Sequence, residues 1–229
     1  MTMANAITRH IPNAITCCNL LSGCMAVMAA LGGNVRTAFF WIIGGAAFDF
    51  CDGLSARLLH AYSPIGKELD SLADLVTFGV APALLCMGML RQFSWPCAFF
   101  PYLALILVAF AALRLAKFNL DERQTTSFLG LAVPANALFW CGTVLWMQDI
   151  HEPAFIGWIL LVAIFAFAIL MVSELPMFSL KFRNLGWKDN SVRFIFLAGA
   201  IVLILLFGMK GAAPTIVWYI VLSVIVRKK

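Results

Sequence analysis

Asp49-Phe50-Cys51-Asp52-Gly53-Leu54-Ser55-Ala56-Arg57, then eight residues, then Gly66-Lys67-Glu68-Leu69-Asp70-Ser71-Leu72-Ala73-Asp74: four aspartates fall within twenty-six residues of a chain that is 63% hydrophobic and 12% charged. Asp49 and Asp52 are three apart and Asp70 and Asp74 four apart, so on helices each pair projects from one face. Between them, His60-Ala61-Tyr62-Ser63-Pro64-Ile65-Gly66 carries the Pro and Gly that end one helix and let the next turn back antiparallel. The two pairs then face each other as one cup. Four carboxylates this close repel, and charge at membrane depth is costly, so positive charge has to compensate. Arg57 and Lys67 are too few to supply it. Carboxylate oxygens are hard ligands, and one or two divalent cations of the Mg²⁺ or Mn²⁺ type both neutralise them and suit phosphate chemistry. The stretch therefore reads as a two-metal phosphoryl-transfer site. Salt bridges within a helical bundle are the plainer alternative. Gly53, Ala56 and Gly66 weigh against it, because small residues let a ligand or a backbone approach closely.

Outside this stretch the 229-residue chain is too apolar for one water-soluble core, and its apolar runs lack the alternation that a membrane barrel needs. The expected fold class is all-α: a polytopic transmembrane helical bundle of about eight spans, preceded by a short interfacial segment. Residues 1–14 are too polar and end too early to read as a removable signal peptide. The spans run about 15–31, 37–59, 66–90, 95–118, 128–147, 155–171, 194–209 and 214–226. No linker or repeat divides them, so residues 1–229 read as a single membrane domain with a catalytic core of about 11–190. The seven cysteines form no Cys-x-x-Cys pair, and His10, His60 and His151 are isolated, which argues against zinc or a disulfide framework.

The formal net charge of +5 does not point to nucleic acid, because the basic residues sit at the ends of apolar segments, where they meet lipid headgroups. With eight spans, both termini and the loops after spans two, four and six share one side. Of sixteen lysines and arginines only Arg36, Arg91 and Lys210 fall opposite, leaving thirteen on the side of the aspartates. By the positive-inside rule that side is cytoplasmic.

Three further groups belong to the same end of the bundle. Asn13, Thr16 and Asn19 share one face at the mouth of the first span, positioned to cap it or to line the site. Arg114 and Lys117, three apart at the end of span four, either snorkel to the interface or bind a ligand. Glu174, after span six, reads most simply as interfacial, with lining of the pocket as the lesser alternative. A cation transporter would also use a carboxylate cup, but it favours polar residues on several spans near the midplane. Here the charges gather at one end.

The spacing Asp52-Gly53-x2-Ala56-Arg57-x8-Gly66-x3-Asp70-x3-Asp74 matches at every fixed position the signature of the CDP-alcohol phosphatidyltransferase family, which this chain resembles. Within the family it is most similar to the bacterial integral-membrane phosphatidylserine synthases. Residues 11–19, 70–82, 113–119 and 128–135 carry that likeness. Phosphatidylglycerophosphate synthases tend to have Pro and Lys where this chain has Ser71 and Leu75. Two positions depart from the serine branch: Lys117 stands where Arg is more usual, and Ala132 where Pro is.

The resemblance implies that Asp49, Asp52, Asp70 and Asp74 bind one or two Mg²⁺ or Mn²⁺ ions, with Asp74 also the general base. Gly53, Ala56, Arg57 and Gly66, with Thr16 and Asn19, would shape the CDP pocket, and Arg114 and Lys117 would hold serine carboxylate or a phosphate. CDP-diacylglycerol and L-serine would be the substrates, at the cytoplasmic face of a bacterial-type inner membrane. Glycerol phosphate and inositol phosphate remain alternative acceptors, and a homodimer is left open.

Overall fold

The computed structural model describes residues 10–121, 128–148, 154–180 and 186–227. Most of the N-terminal interfacial segment, Arg123, His151, Lys181, Arg183, Lys228 and Lys229 lie outside them. Helix α1 (Ile11–Leu31) opens with Pro12 in its first turn, where a missing N–H costs nothing. It turns through Gly33, whose φ of +73° only glycine adopts cheaply, into α2 (Val35–Leu58). The Asn34 side chain caps α2 by accepting from the Thr37 N–H at 3.2 Å.

The second turn differs from the expected Pro/Gly hinge. Helix α3 (Pro64–Asp74) already begins at Pro64, with Ser63 Oγ accepting from the Gly66 N–H at 3.0 Å, so Gly66 lies inside the first helical turn. The reversal occurs in His60–Ser63, where His60 takes a φ of +50°. The third span is not one regular helix either. A π-helical turn, Leu75–Val80, separates α3 from α4 (Ala81–Leu90).

Span four enters through a 3₁₀ turn, Phe100–Leu105, before α5 (Ile106–Leu120). The expected start of span five instead forms a two-residue strand, β1 (Phe128–Leu129), antiparallel to β2 (Pro176–Met177) in the register Phe128↔Met177. Helix α6 (Val133–Met147), α7 (Ala154–Val172), α8 (Trp187–Phe207) and α9 (Ala212–Arg227) complete the all-helical bundle.

Among the described residues, six stretches are long and apolar enough to cross a membrane. The expected eight differ from these at two places. Val133–Met147 is only 15 residues long. Asn190–Val226 is one apolar stretch that a 3₁₀ turn at Gly208–Gly211 breaks into α8 and α9. The stretch Pro64–Leu90 is the axis: 67% of its most apolar window is buried, against 11–33% for the others. Their outward faces are apolar as well, as a helix surrounded by lipid requires.

Candidate active site

The site begins where α1, α2 and the π turn meet. A Cβ on Gly23 would lie 2.9 Å from the Thr77 backbone N and Cα. One on Gly45 would lie 2.5 Å from Thr77 Cγ2 and 2.9 Å from Asn19 Oδ1. Both positions must therefore be glycine for Thr77 to wedge between the two helices. There the Thr77 hydroxyl donates to Asn19 Oδ1 at 2.8 Å, and Asn19 Nδ2 donates to Asp74 Oδ1 at 3.0 Å. All three side chains are buried, where an unmade hydrogen bond is expensive. Because the hydroxyl occupies the amide oxygen, the amide nitrogen is turned toward the carboxylate.

One oxygen from each of Asp49, Asp70 and Asp74 lies within 4.8 Å of the others. Asp70 Oδ1 is buried and has no hydrogen-bond partner. Three hard oxygen donors converge here, and Asp70 also holds an orphaned buried carboxylate oxygen; this donor set fits a divalent cation of the Mg²⁺ or Mn²⁺ type. Asp52 stands beside this trio. Its Oδ2 accepts from the Thr16 hydroxyl at 2.5 Å, and it is 6% exposed. The cup is thus three convergent carboxylates with a fourth held from α1.

Next to it lies a cavity of about 180 Å³ whose wall includes Thr16, Asp52, Gly53, Ala56, Gly66 and Asp70. The structure thereby gathers most of the residues expected to shape a CDP pocket. A Cβ on Gly53 would meet no atom within 4 Å, so the floor there is open. On Gly66 it would come within 2.9 Å of Asn13 Oδ1 and Ser63 Oγ, where the mouth of α1 meets the cap of α3. Two expected residues are placed differently. Asn19 is fully buried and reaches Asp74 rather than the cavity wall. Arg57 is exposed, and its Nε donates to the Gly53 carbonyl at 2.9 Å, bracing the end of α2.

Arg114 and Lys117 line a second cavity of about 380 Å³, together with Asp121, Leu129, Ser173 and Glu174. Arg114 is buried, its guanidinium 5.3 Å from the Phe118 ring centroid. Lys117 Nζ donates to the Val172 carbonyl at 3.3 Å. The far wall is strapped in place by Gly130, which at a φ of +74° donates its N–H to the Leu175 carbonyl at 2.8 Å. A Cβ there would press into the carbonyls of Met171 and Ser173. The end of α5 is tied to the aspartate helix: Lys67 Nζ donates to the Asn119 carbonyl at 2.7 Å, and Asn119 Nδ2 donates to Ser71 Oγ at 2.8 Å.

Thr77 and Asp121 are not among the site residues expected from the sequence, and Glu174, most simply expected at the interface and as the lesser alternative in the pocket, lines this second cavity. Thr77 had one signal, a hydroxyl three residues beyond Asp74 in an otherwise apolar run. Asp121 and Glu174 are far apart in the chain and meet only through the fold.

A family model described as CDP-alcohol phosphatidyltransferase matches residues 9–173. The chain is 39% identical over 126 residues to a CDP-diacylglycerol--serine O-phosphatidyltransferase of Bacillus subtilis, covering 55% of this chain and 70% of that protein. To the protein of that name from Mycobacterium tuberculosis it is 34% identical over 176 residues, 73% of this chain but only 60% of the longer relative. The Helicobacter pylori J99 protein of the same name is 30% identical over 187 residues, covering 77% and 74%. Three convergent aspartates, a neighbouring small-residue cavity and a match over most of its length all agree: this chain belongs to the CDP-alcohol phosphatidyltransferase family.

Proposed function

We propose that the protein transfers the phosphatidyl group of CDP-diacylglycerol to the hydroxyl of L-serine, giving phosphatidylserine and CMP. The observation that carries this reading is the convergence of Asp49, Asp70 and Asp74 beside a cavity whose wall holds Asp52, Gly53, Ala56 and Gly66. The names of the relatives support the serine acceptor.

Asp49, Asp70 and Asp74, with Asp52 alongside, would hold one or two divalent cations, Mg²⁺ or Mn²⁺. The chemistry such a cation would supply when bound is charge neutralisation at the donor diphosphate and the leaving CMP. The small-residue cavity receives the nucleotide. Asp74, steadied by Asn19, takes the serine hydroxyl proton as general base. The serine oxygen forms a bond to the lipid-bearing phosphorus as the bond from that phosphorus to the CMP oxygen breaks, and CMP leaves with the electron pair. Arg114 and Lys117 hold the serine carboxylate. The chain acts as one membrane domain. In the eight-pass reading, the short helix α6 and the two arms of α8 and α9 each cross the bilayer, and the basic side faces the cytoplasm.

The test is purified full-length protein with CDP-diacylglycerol and a panel of alcohols, scored for CMP and lipid product. Mg²⁺ or Mn²⁺ should support phosphatidylserine formation and excess chelator should abolish it. Full CMP release in chelator would overturn the metal assignment, and transfer to glycerol phosphate or inositol phosphate without serine would overturn the acceptor.

A further inference from the structure

Three hydrogen bonds close a ring between α3 and the end of α5. Asn119 Nδ2 donates to Ser71 Oγ at 2.8 Å, Ser71 Oγ donates to the Lys67 carbonyl at 3.3 Å, and Lys67 Nζ donates to the Asn119 carbonyl at 2.7 Å. The Ser71 hydroxyl thus accepts once and donates once, which gives the ring one direction. It joins residues 48 and 52 apart in the chain. Neither helix needs it to form locally, since α3 is already capped by Ser63. What it fixes is the register of one helix against the other.

Each side of the ring carries part of a cavity. On α3, Lys67 and Asp70 stand in the wall of the small-residue cavity, and Asp74 follows one turn later. On α5, Lys117 and Leu120 flank Asn119 and line the second cavity, with Arg114 one turn before. Neither Ser71 nor Asn119 is among the described wall residues of either cavity. Farther along α5, Ala111 lies 3.2 Å from where a Cβ of Gly79 would be. That van der Waals contact sets how close the helices come but not how they slide, whereas a hydrogen bond is directional and resists sliding.

Resting on the transferase reading above, in which Arg114 and Lys117 hold the serine carboxylate, we infer that Ser71 and Asn119 are positioning residues for the acceptor. Their bond, closed into a ring by Lys67, sets α5 in register with α3 and so places the bound acceptor against the aspartates. The two side chains touch no substrate. They act through the helix that carries Arg114 and Lys117, where small displacements matter because the attacking oxygen must be held close to phosphorus.

The experiment measures initial rates of purified full-length protein with divalent cation, varying L-serine and CDP-diacylglycerol in turn, for Ser71→Ala, Asn119→Ala and the double variant. The Michaelis constant for serine should rise about two- to tenfold in each, the range of one neutral hydrogen bond, with that for CDP-diacylglycerol unchanged. The double variant should be no worse than the worse single one, because both remove the same bond. Ser71→Thr keeps the hydroxyl and should keep the wild-type serine constant. A loss of folded protein alone would lower turnover and move neither constant. The second measurement needs no turnover: spin labels at the exposed positions 68 and 120, carried on non-canonical residues because five native cysteines are exposed, should give a narrow distance distribution that broadens in Asn119→Ala. Unchanged serine constants in both single variants, additive effects in the double variant, equal rises for serine and donor, or an unchanged distance distribution would each overturn the inference. If the wild type makes no phosphatidylserine, the serine-transfer reading fails, and the distance measurement alone then decides whether the ring sets the register of α5.

Discussion

Two glycine-dependent contacts in this bundle look alike and serve different ends. At Gly45 the missing Cβ makes room for the methyl of Thr77 and the amide oxygen of Asn19, two side chains whose hydrogen bonds lead to Asp74. At Gly199, in the α8–α9 hairpin, it makes room for the indole of Trp218, at 3.0 Å from Cδ1 and 3.1 Å from Cε2. Close approach of helices in lipid is bought by small residues in both cases. In the first the space is filled by side chains that belong to a hydrogen-bonded chain ending on a carboxylate, and in the second by an aromatic ring. Thus a small residue in a membrane helix marks proximity, and the chemistry is decided by what enters the gap.

The largest effect should come from the carboxylates themselves. Asp49→Asn and Asp70→Asn should each lower turnover by more than the roughly 10–100-fold typical of outer-shell partners, and should weaken Mn²⁺ binding in parallel. Near-normal turnover in either variant would remove that residue from the ligand set. The comparison is next sharpened by paired substitutions. Gly45→Ala displaces Thr77 and Asn19 and should reduce turnover by roughly 10–100-fold, as loss of second-layer support does. Gly199→Ala should instead act on the fold, costing about 1–3 kcal/mol through overpacking and lowering the thermal midpoint while turnover of the folded protein persists. Equal loss of turnover in both would erase the distinction.

A smaller effect is expected of Thr77→Val, which keeps the wedge and deletes the hydroxyl. Turnover should fall about tenfold with little change in either Michaelis constant, and Thr77→Ser should restore it. A Thr77→Val protein as active as wild type would show that Asn19 orients without help. The least perturbing measurement touches no activity at all. Cysteine labels at 183 and 229 should react only from the cytoplasmic side and one at 151 only from the other. Labelling of 151 from the cytoplasmic side with 183 and 229 from the other would mean that α6 does not cross, and labelling of 183 and 229 from opposite sides would mean that only one arm of the α8–α9 pair does.

The sequence carried the aspartate spacing, the apolar spans and the small residues around Asp52 and Gly66, because periodicity and composition are local signals. It did not carry the π turn: Leu75-Val76-Thr77-Phe78-Gly79-Val80 is as compatible with an α-helix, and only packing of Thr77 against Gly23 and Gly45 distinguishes the two. Nor did it carry the charge-balanced cavity. Asp121 and Glu174 are brought together by the Gly130 strap and the β1–β2 pairing, which are long-range contacts with no footprint in local pattern. Helix α3 starts two residues before the expected Gly66 because Ser63-Pro64 caps it there, and Gly66 serves as a clearance rather than as a breaker.

The π turn has one more consequence, in angular phase. Residues on a regular α-helix advance by about 100° each, so the face that Asp70 and Asp74 present would dictate the direction of every side chain up to Leu90. A π turn accommodates one extra residue and resets that phase within a single crossing. α3 can therefore aim its carboxylates at α2 while α4 turns an almost wholly buried surface to its neighbours, with neither orientation constraining the other. Deleting one residue within 75–80 would rotate the two halves relative to each other without shortening the apolar span enough to expel it, turning the aspartates and the buried core out of register in one step.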